Sequence, residues 1–349
     1  MKVVVVDPPS ILPIANASVI QGDVRAILPR LPSASVQCVV TSPPYWGLRD
    51  YGIEGQIGLE STMAGFINSL VGVFSEVRRI LKPDGILWLN IGDGFTSGNR
   101  GWRAPDKKNP NRAMNVRPDN PPGLKDKDLM GIPWRLAFAL QDDGWYLRSD
   151  IIWNKPNAMP ESVKDRPTRA HEYLFMFTKS EKYTYHGERV KEVGGNGDLR
   201  NRRSVWNINT TASAGAHIAS FPEALVEPCI LASTEENEMV FDPFFGCGTV
   251  GLAARNHNRR YLGIELNPEY VASALKLLGP PVFGNGKKGK RLTTCNNEND
   301  FALHDAPNLR SQSPGAGPKS ASAQGPDSNR GKSGISYPKP RVGRKRILK

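Results

Sequence analysis

Two apolar periods alternate along this chain, and the alternation predicts its elements. Residues 36–41 form a short β-branched run that stops at Ser42-Pro43-Pro44-Tyr45-Trp46. Over residues 63–81 the apolar positions Phe66, Ile67, Leu70, Val73, Phe74, Val77, Ile80 and Leu81 fall at helical spacing, and Lys82-Pro83-Asp84-Gly85 reads as the stop. A strand is expected over 86–91, a helix over 134–141 behind Pro133, and strands over 146–153 and 172–178 that are close enough in sequence to pair. A shorter run at 18–20 precedes Gly22-Asp23. Further on, residues 239–241 run as a strand into Asp242-Pro243-Phe244-Phe245-Gly246-Cys247-Gly248-Thr249, a helix begins over 250–255, and a strand over 261–265 ends on Glu265. Such alternation through short loops predicts an α/β domain with a doubly wound, mainly parallel sheet and one antiparallel strand pair.

Two segments interrupt the pattern. Residues 97–130 form a polar, basic loop dense in Gly, Asn and Pro, and residues 180–215 are irregular and carry Arg200, Arg202 and Arg203. Loops of this length are either functional or disordered. Residues 284–349 are rich in Gly, Ser, Pro, Asn and Lys, a composition that buries too little to offset ordering entropy, so a disordered basic tail is expected behind a single domain over 1–283. The tail holds fourteen Lys/Arg against four Asp/Glu, a difference of +10 within the formal charge of +12. The domain is therefore close to neutral, and any nucleic-acid surface on it must be a local patch.

Cys38, Cys229, Cys247 and Cys295 lack the spacing of a zinc or redox site, so neither metal nor disulfide is expected, and Cys229 in its apolar helical run reads as packing. The apolar start at residues 3–6 ends at Asp7-Pro8-Pro9, too early for a signal peptide or membrane span. A cytoplasmic protein is expected.

A strand, a glycine turn, a helix start and a strand ending on a carboxylate form a nucleoside-binding arrangement: glycines admit the ligand, N–H groups face it, and the carboxylate binds ribose hydroxyls. Taken alone, a Gly-x-Gly turn is a weak signal, and a Pro-Pro turn followed by aromatics is more often a packed loop. Together, Thr41-Ser42-Pro43-Pro44-Tyr45 and Asp242-Pro243-Phe244-Phe245-Gly246-Cys247-Gly248-Thr249 resemble the catalytic and cofactor motifs of the amino-methylating DNA methyltransferases that use S-adenosylmethionine. The catalytic motif comes first, as in the permuted β group, and the resemblance runs over about residues 19–278.

The resemblance implies a Rossmann-like methyltransferase sheet, S-adenosylmethionine as cofactor and a base flipped out of double-stranded DNA. An exocyclic amine is a poor nucleophile because its lone pair is delocalised, and acceptors for its N–H groups localise that pair. Ser42 Oγ and the Pro43 carbonyl are suitable acceptors, the prolines Pro43 and Pro44 fix the turn, and Tyr45 offers a face for the base. Cofactor-binding roles are implied for Asp23, Thr41, Phe241, Asp242, Pro243, Phe244, Gly246, Gly248, Thr249, Glu265 and His217, with DNA contacts from Trp46, Trp153 and Lys155; Arg200, Arg202 and Arg203 read by their charge either as phosphate or guanine contacts or as a solvated charge run. Ser42 favours cytosine N(4), because the family's adenine N(6) enzymes mostly carry Asp there. A cognate restriction endonuclease, a homodimer and a bacterial or phage origin are implied by resemblance alone. An RNA or protein glutamine methyltransferase, or a DNA-binding homologue without catalysis, are the rival readings.

Overall fold

The computed structural model describes residues 2–3, 17–96, 118–211 and 221–279. His217, most of the basic loop and the whole tail, with Cys295, lie outside the described residues.

Nine strands form one sheet in the order β1 (Lys2–Val3), β2 (Ala17–Gln21), β11 (Arg260–Glu265), β10 (Met239–Asp242), β3 (Val36–Thr41), β4 (Leu81–Ile91), β6 (His171–Thr178), β5 (Tyr146–Asn154) and β9 (Val205–Asn207). Every neighbouring pair is parallel except the two made by β6, which runs antiparallel to both β4 and β5. The expected strand pair is thus present, inside the sheet.

Strand residues alternate between two helical layers, as a twofold side-chain period requires. Val39, Leu87, Leu89 and Phe241 pack with α1 (Val24–Ile27), α2 (Met63–Ile80) and α3 (Ile132–Asp142). Cys38, Val40, Ile86, Trp88 and Val240 pack on the other face with α4 (Glu223–Ser233), α5 (Thr249–Asn256) and α6 (Pro268–Leu278). Helix α2 shows how sequence makes this happen: Thr62 Oγ1 caps its start by accepting from Gly65 N at 3.0 Å, and seven apolar residues, Phe66 to Ile80, are buried along one face. Each such side chain contributes about 1.5–3 kcal/mol relative to exposure.

The structure departs from the pattern in two places. Lys82-Pro83-Asp84-Gly85 does not separate α2 from a strand at 86; β4 begins at Leu81 and carries the four residues as an irregularity, the register jumping from Val36 opposite Leu81 to Cys38 opposite Ile86. Gly85 is needed there, since a Cβ would stand 2.8 Å from the Gln37 carbonyl oxygen. The irregular 180–215 region in turn contains a small hairpin, β7 (Glu192–Val193) with β8 (Leu199–Arg200), and supplies β9 to the edge of the main sheet.

Candidate active site

The parallel strands β2, β11, β10, β3 and β4 all deliver their C-terminal ends to one rim, which is where an open α/β sheet binds ligands. Asp23 follows β2, Glu265 ends β11, Asp242 ends β10 with Pro243 to Gly246 after it, Ser42 to Tyr45 follow β3, and Asn90 lies near the end of β4; all line a single cavity of about 820 Å³. The two motifs, two hundred residues apart, meet because β10 pairs with β3, with Val240 beside Cys38 and Phe241 beside Val39.

At one end of the cavity the glycine turn is assembled around Glu265. Its carboxylate accepts from Gly246 N and from Asn267 N, each at 2.7 Å, and burial raises its pKa despite those donors. Gly246 and Gly248 have φ of +52° and +91°, the left-handed region that glycine occupies without strain. Phe245 lies flat on Gly263, leaving no room for a Cβ, so the turn closes onto β11. Beneath it, Asp242 accepts from Thr41 Oγ1 at 2.6 Å and from Phe244 N at 3.0 Å; it is fully buried, and burial pushes its carboxyl up to about 7. Asp23 caps α1 and pairs with Arg25 at 2.6 Å. Burial works against the Asp23 carboxylate, but the Arg25 hydrogen bonds outweigh it and hold the carboxyl below its usual range.

At the other end, Ser42, Pro43, Pro44 and Tyr45 share the wall with Asn90, Trp153, Lys155, Arg169 and Glu172. Tyr45 Oη donates to Glu172 Oε2 at 2.8 Å, and Lys155 Nζ donates to Glu172 Oε1 at 2.5 Å while standing 4.1 Å over the Trp153 ring. The Lys155 and Glu172 side chains are only 17% and 19% exposed. Sequence reasoning missed Glu172; its one visible signal is a carboxylate at the mouth of the apolar run 173–177, directly opposite Trp153 in the β5–β6 pairing. Arg49, Tyr51 and Tyr270, also on the cavity wall, were missed too, because nothing in their local pattern distinguishes them from loop and helix residues.

Several expected contacts stand elsewhere. Phe241 is fully buried in the core and Thr41 lies under Asp242, so neither lines the cavity, whereas Pro243, Phe244 and Thr249 do. Gly248 sits at the start of α5 against Ala274. Trp46 is buried, donates its Nε1–H to the Glu60 carbonyl at 2.8 Å and borders a separate small cavity with Phe95 and Pro118. Arg200 and Arg203 both pair with Glu192, at 2.9 and 3.2 Å, and the Arg202 guanidinium lies 4.3 Å over the Trp206 ring. None of the three arginines lines the cavity. Cys229 is packed in α4, and burial pushes its thiol well above the ordinary range. No group of residues able to hold a metal ion occurs among the described residues, and no described helix is long and apolar enough to cross a membrane.

The model of the N6/N4 methyltransferase family, described as DNA methylase, matches residues 36–276. The type II methyltransferase M.XycI of Xanthomonas campestris pv. cyanopsidis is 69% identical over 76% of this chain and 89% of its own length. Among solved structures, the PvuII DNA methyltransferase, described as cytosine-N4-specific, shares the fold with a TM-score of 0.58 at 23% identity, over 77% of this chain and 89% of that one. A Thermus thermophilus protein described as a DNA modification methylase, solved in complex with S-adenosyl-L-methionine, superposes with a TM-score of 0.54 at 26% identity, covering 75% and 93% of the two chains. This chain belongs to the DNA methylase family, the S-adenosylmethionine-dependent amino methyltransferases of DNA.

Proposed function

We propose that this protein methylates the N(4) amine of a cytosine flipped from a specific site in double-stranded DNA. The observation that carries the reading is Ser42 at the rim end of β3, in the same cavity as the glycine turn around Glu265. A serine offers a neutral acceptor to an amine, where the family's adenine enzymes mostly place an aspartate.

The cavity suits S-adenosylmethionine. Gly246 leaves one wall bare, Phe244 and Tyr270 supply apolar surface, and Asp23, Asp242 and Glu265 gather carboxylates around a space that a cationic nucleoside would fill. On this reading Glu265 holds the ribose, Asp23 the adenine amine, and Pro243, Phe244, Gly246 and Thr249 the remainder. The cofactor, when bound, supplies a sulfonium methyl group that needs no metal. The chain's own residues do the rest: Ser42 Oγ and the Pro43 carbonyl take the amine N–H groups, Tyr45 and Trp153 hold the ring, and alignment lowers the barrier. DNA contact is assigned to Arg200, Arg202 and Arg203, whose charge is partly met by Glu192 and Trp206 before DNA arrives. A cognate nuclease reading the same site is part of the proposal, supported by the type II designation of the Xanthomonas relative. A homodimer rests on the family resemblance alone.

Digesting methylated plasmid to nucleosides and identifying the product by mass tests the reading. N(4)-methyl-2′-deoxycytidine is expected; N(6)-methyl-2′-deoxyadenosine as the sole product would replace it with the adenine reading.

A further inference from the structure

The Tyr45 phenol spends its proton in one direction. It donates to Glu172 Oε2 at 2.8 Å, so its oxygen is left with accepting capacity alone, and the Ser42 hydroxyl and the Gly92 N–H lie near that oxygen. The second Glu172 oxygen is taken by the Lys155 ammonium at 2.5 Å. An ammonium has only donors, so it cannot turn the chain around. Burial first, and the neighbouring carboxylate second, hold the Tyr45 hydroxyl far above its usual pKa, so the phenol keeps its proton to give. Ring and carboxylate are both seated on bare backbone at Gly92, where a Cβ would come within 2.8 Å of Tyr45 Cε2 and 3.2 Å of Glu172 Cγ.

A serine hydroxyl has one proton and two lone pairs. It accepts well from a substrate amine only when its own proton is engaged elsewhere. We propose that Glu172 is a positioning residue for methyl transfer: by taking the Tyr45 proton it makes the phenol oxygen an acceptor for the Ser42 hydroxyl, which frees the Ser42 lone pairs for the amine. Lys155, paired with the other Glu172 oxygen, keeps the carboxylate aimed. The inference rests on the amine methyltransferase reading above and adds to it a residue outside both motifs.

Tyr45→Phe keeps the stacking ring and deletes only the oxygen. Single-turnover methyl transfer with DNA and S-adenosylmethionine both saturating should fall about 10- to 100-fold, while 2-aminopurine fluorescence at the flipped position and the KM values move less than about threefold. Glu172→Gln offers one oxygen and one amide N–H₂ to two donors, so it should lose rate similarly. Adding Lys155→Met to Glu172→Gln should restore much of that loss, because the amide oxygen is then free to face Tyr45. The Tyr45→Phe, Glu172→Gln double variant should be no slower than Tyr45→Phe alone, since both cut the same chain.

Wild-type rate in Tyr45→Phe, or losses that multiply in the double variant, would overturn the proposal. If Glu172→Gln does not fold, Tyr45→Phe decides alone. A wild-type protein inactive on every DNA amine sinks the functional reading instead, whereas rate ratios taken on an active wild type judge only Glu172.

Discussion

Asp242 brings an ionisable group into fully buried surroundings, and its carboxyl is pushed up to about 7 because burial outweighs the Thr41 and Phe244 donors. The folded pKa therefore lies above that of the unfolded chain, so between about pH 4 and 7 the folded protein holds a proton the unfolded chain has released. Stability from this group is complete below that window and is lost as pH rises through it; Glu265, raised by burial, acts with the same sign. Asp242→Asn keeps an acceptor for Thr41 and removes the titration. Thermal unfolding followed from pH 4 to 7 should fall more steeply with pH in the wild type than in Asp242→Asn, and parallel curves would place the titration in another group. A Cβ at Gly92 would come within 2.8 Å of Tyr45 Cε2, so Gly92→Ala should displace that ring and slow single-turnover methyl transfer about 10-fold or more, with a smaller effect on cofactor binding. A variant at wild-type rate would mean the ring has room to adjust.

At the scale of elements, the apolar period located α2, α3, β3, β5, β6, β10 and β11 within a residue or two, because each buries a face whose spacing is written in the chain. What was not legible has physical reasons. Lys82-Pro83-Asp84-Gly85 carries turn chemistry, but the hydrogen bonding of β3 absorbs it as an irregularity within β4. Strand β9 is three residues long and is defined by its partner β5, a contact no local pattern reveals. Trp46 and Phe241 flank the two motifs, where an aromatic reads as a ligand contact, yet both are packed inside, since a motif fixes the backbone path and not the face each side chain takes. Helix α2 offers a clean test of local stabilisation away from the cavity. Thr62→Ala removes its cap and should cost about 1 kcal/mol, seen as a Tm lower by about 2–4 °C, with methyl transfer at saturating substrates unchanged. An unshifted Tm would show that solvent or a neighbouring group caps Gly65 equally well.

For the whole molecule, linear order proved a poor guide to position: the motif that opens the domain and the one that nearly closes it lie on adjacent strands, and residues between them complete the far wall of the cavity. Beyond the one pair expected at 146–153 and 172–178, pattern yields strands without neighbours, and it is the sheet order that gives the meeting of the two motifs its geometric basis. Charge obeys the opposite rule, being legible in sequence and silent on geometry. The +10 carried by residues 284–349 exceeds the charge of everything before it, while Arg200 and Arg203 are already paired with Glu192. Long-range attraction to DNA should therefore come chiefly from the tail, and chemistry from the domain. Each phosphate that a protein neutralises steepens the dependence of log K on log salt by about 0.9. A protein ending at residue 283 should bind duplex DNA with a slope shallower by about 0.9 for every tail cation engaged, and more weakly at low salt, yet methylate its site at the full single-turnover rate once saturated. An unchanged slope would assign all phosphate contacts to the domain and leave the tail's charge to solubility.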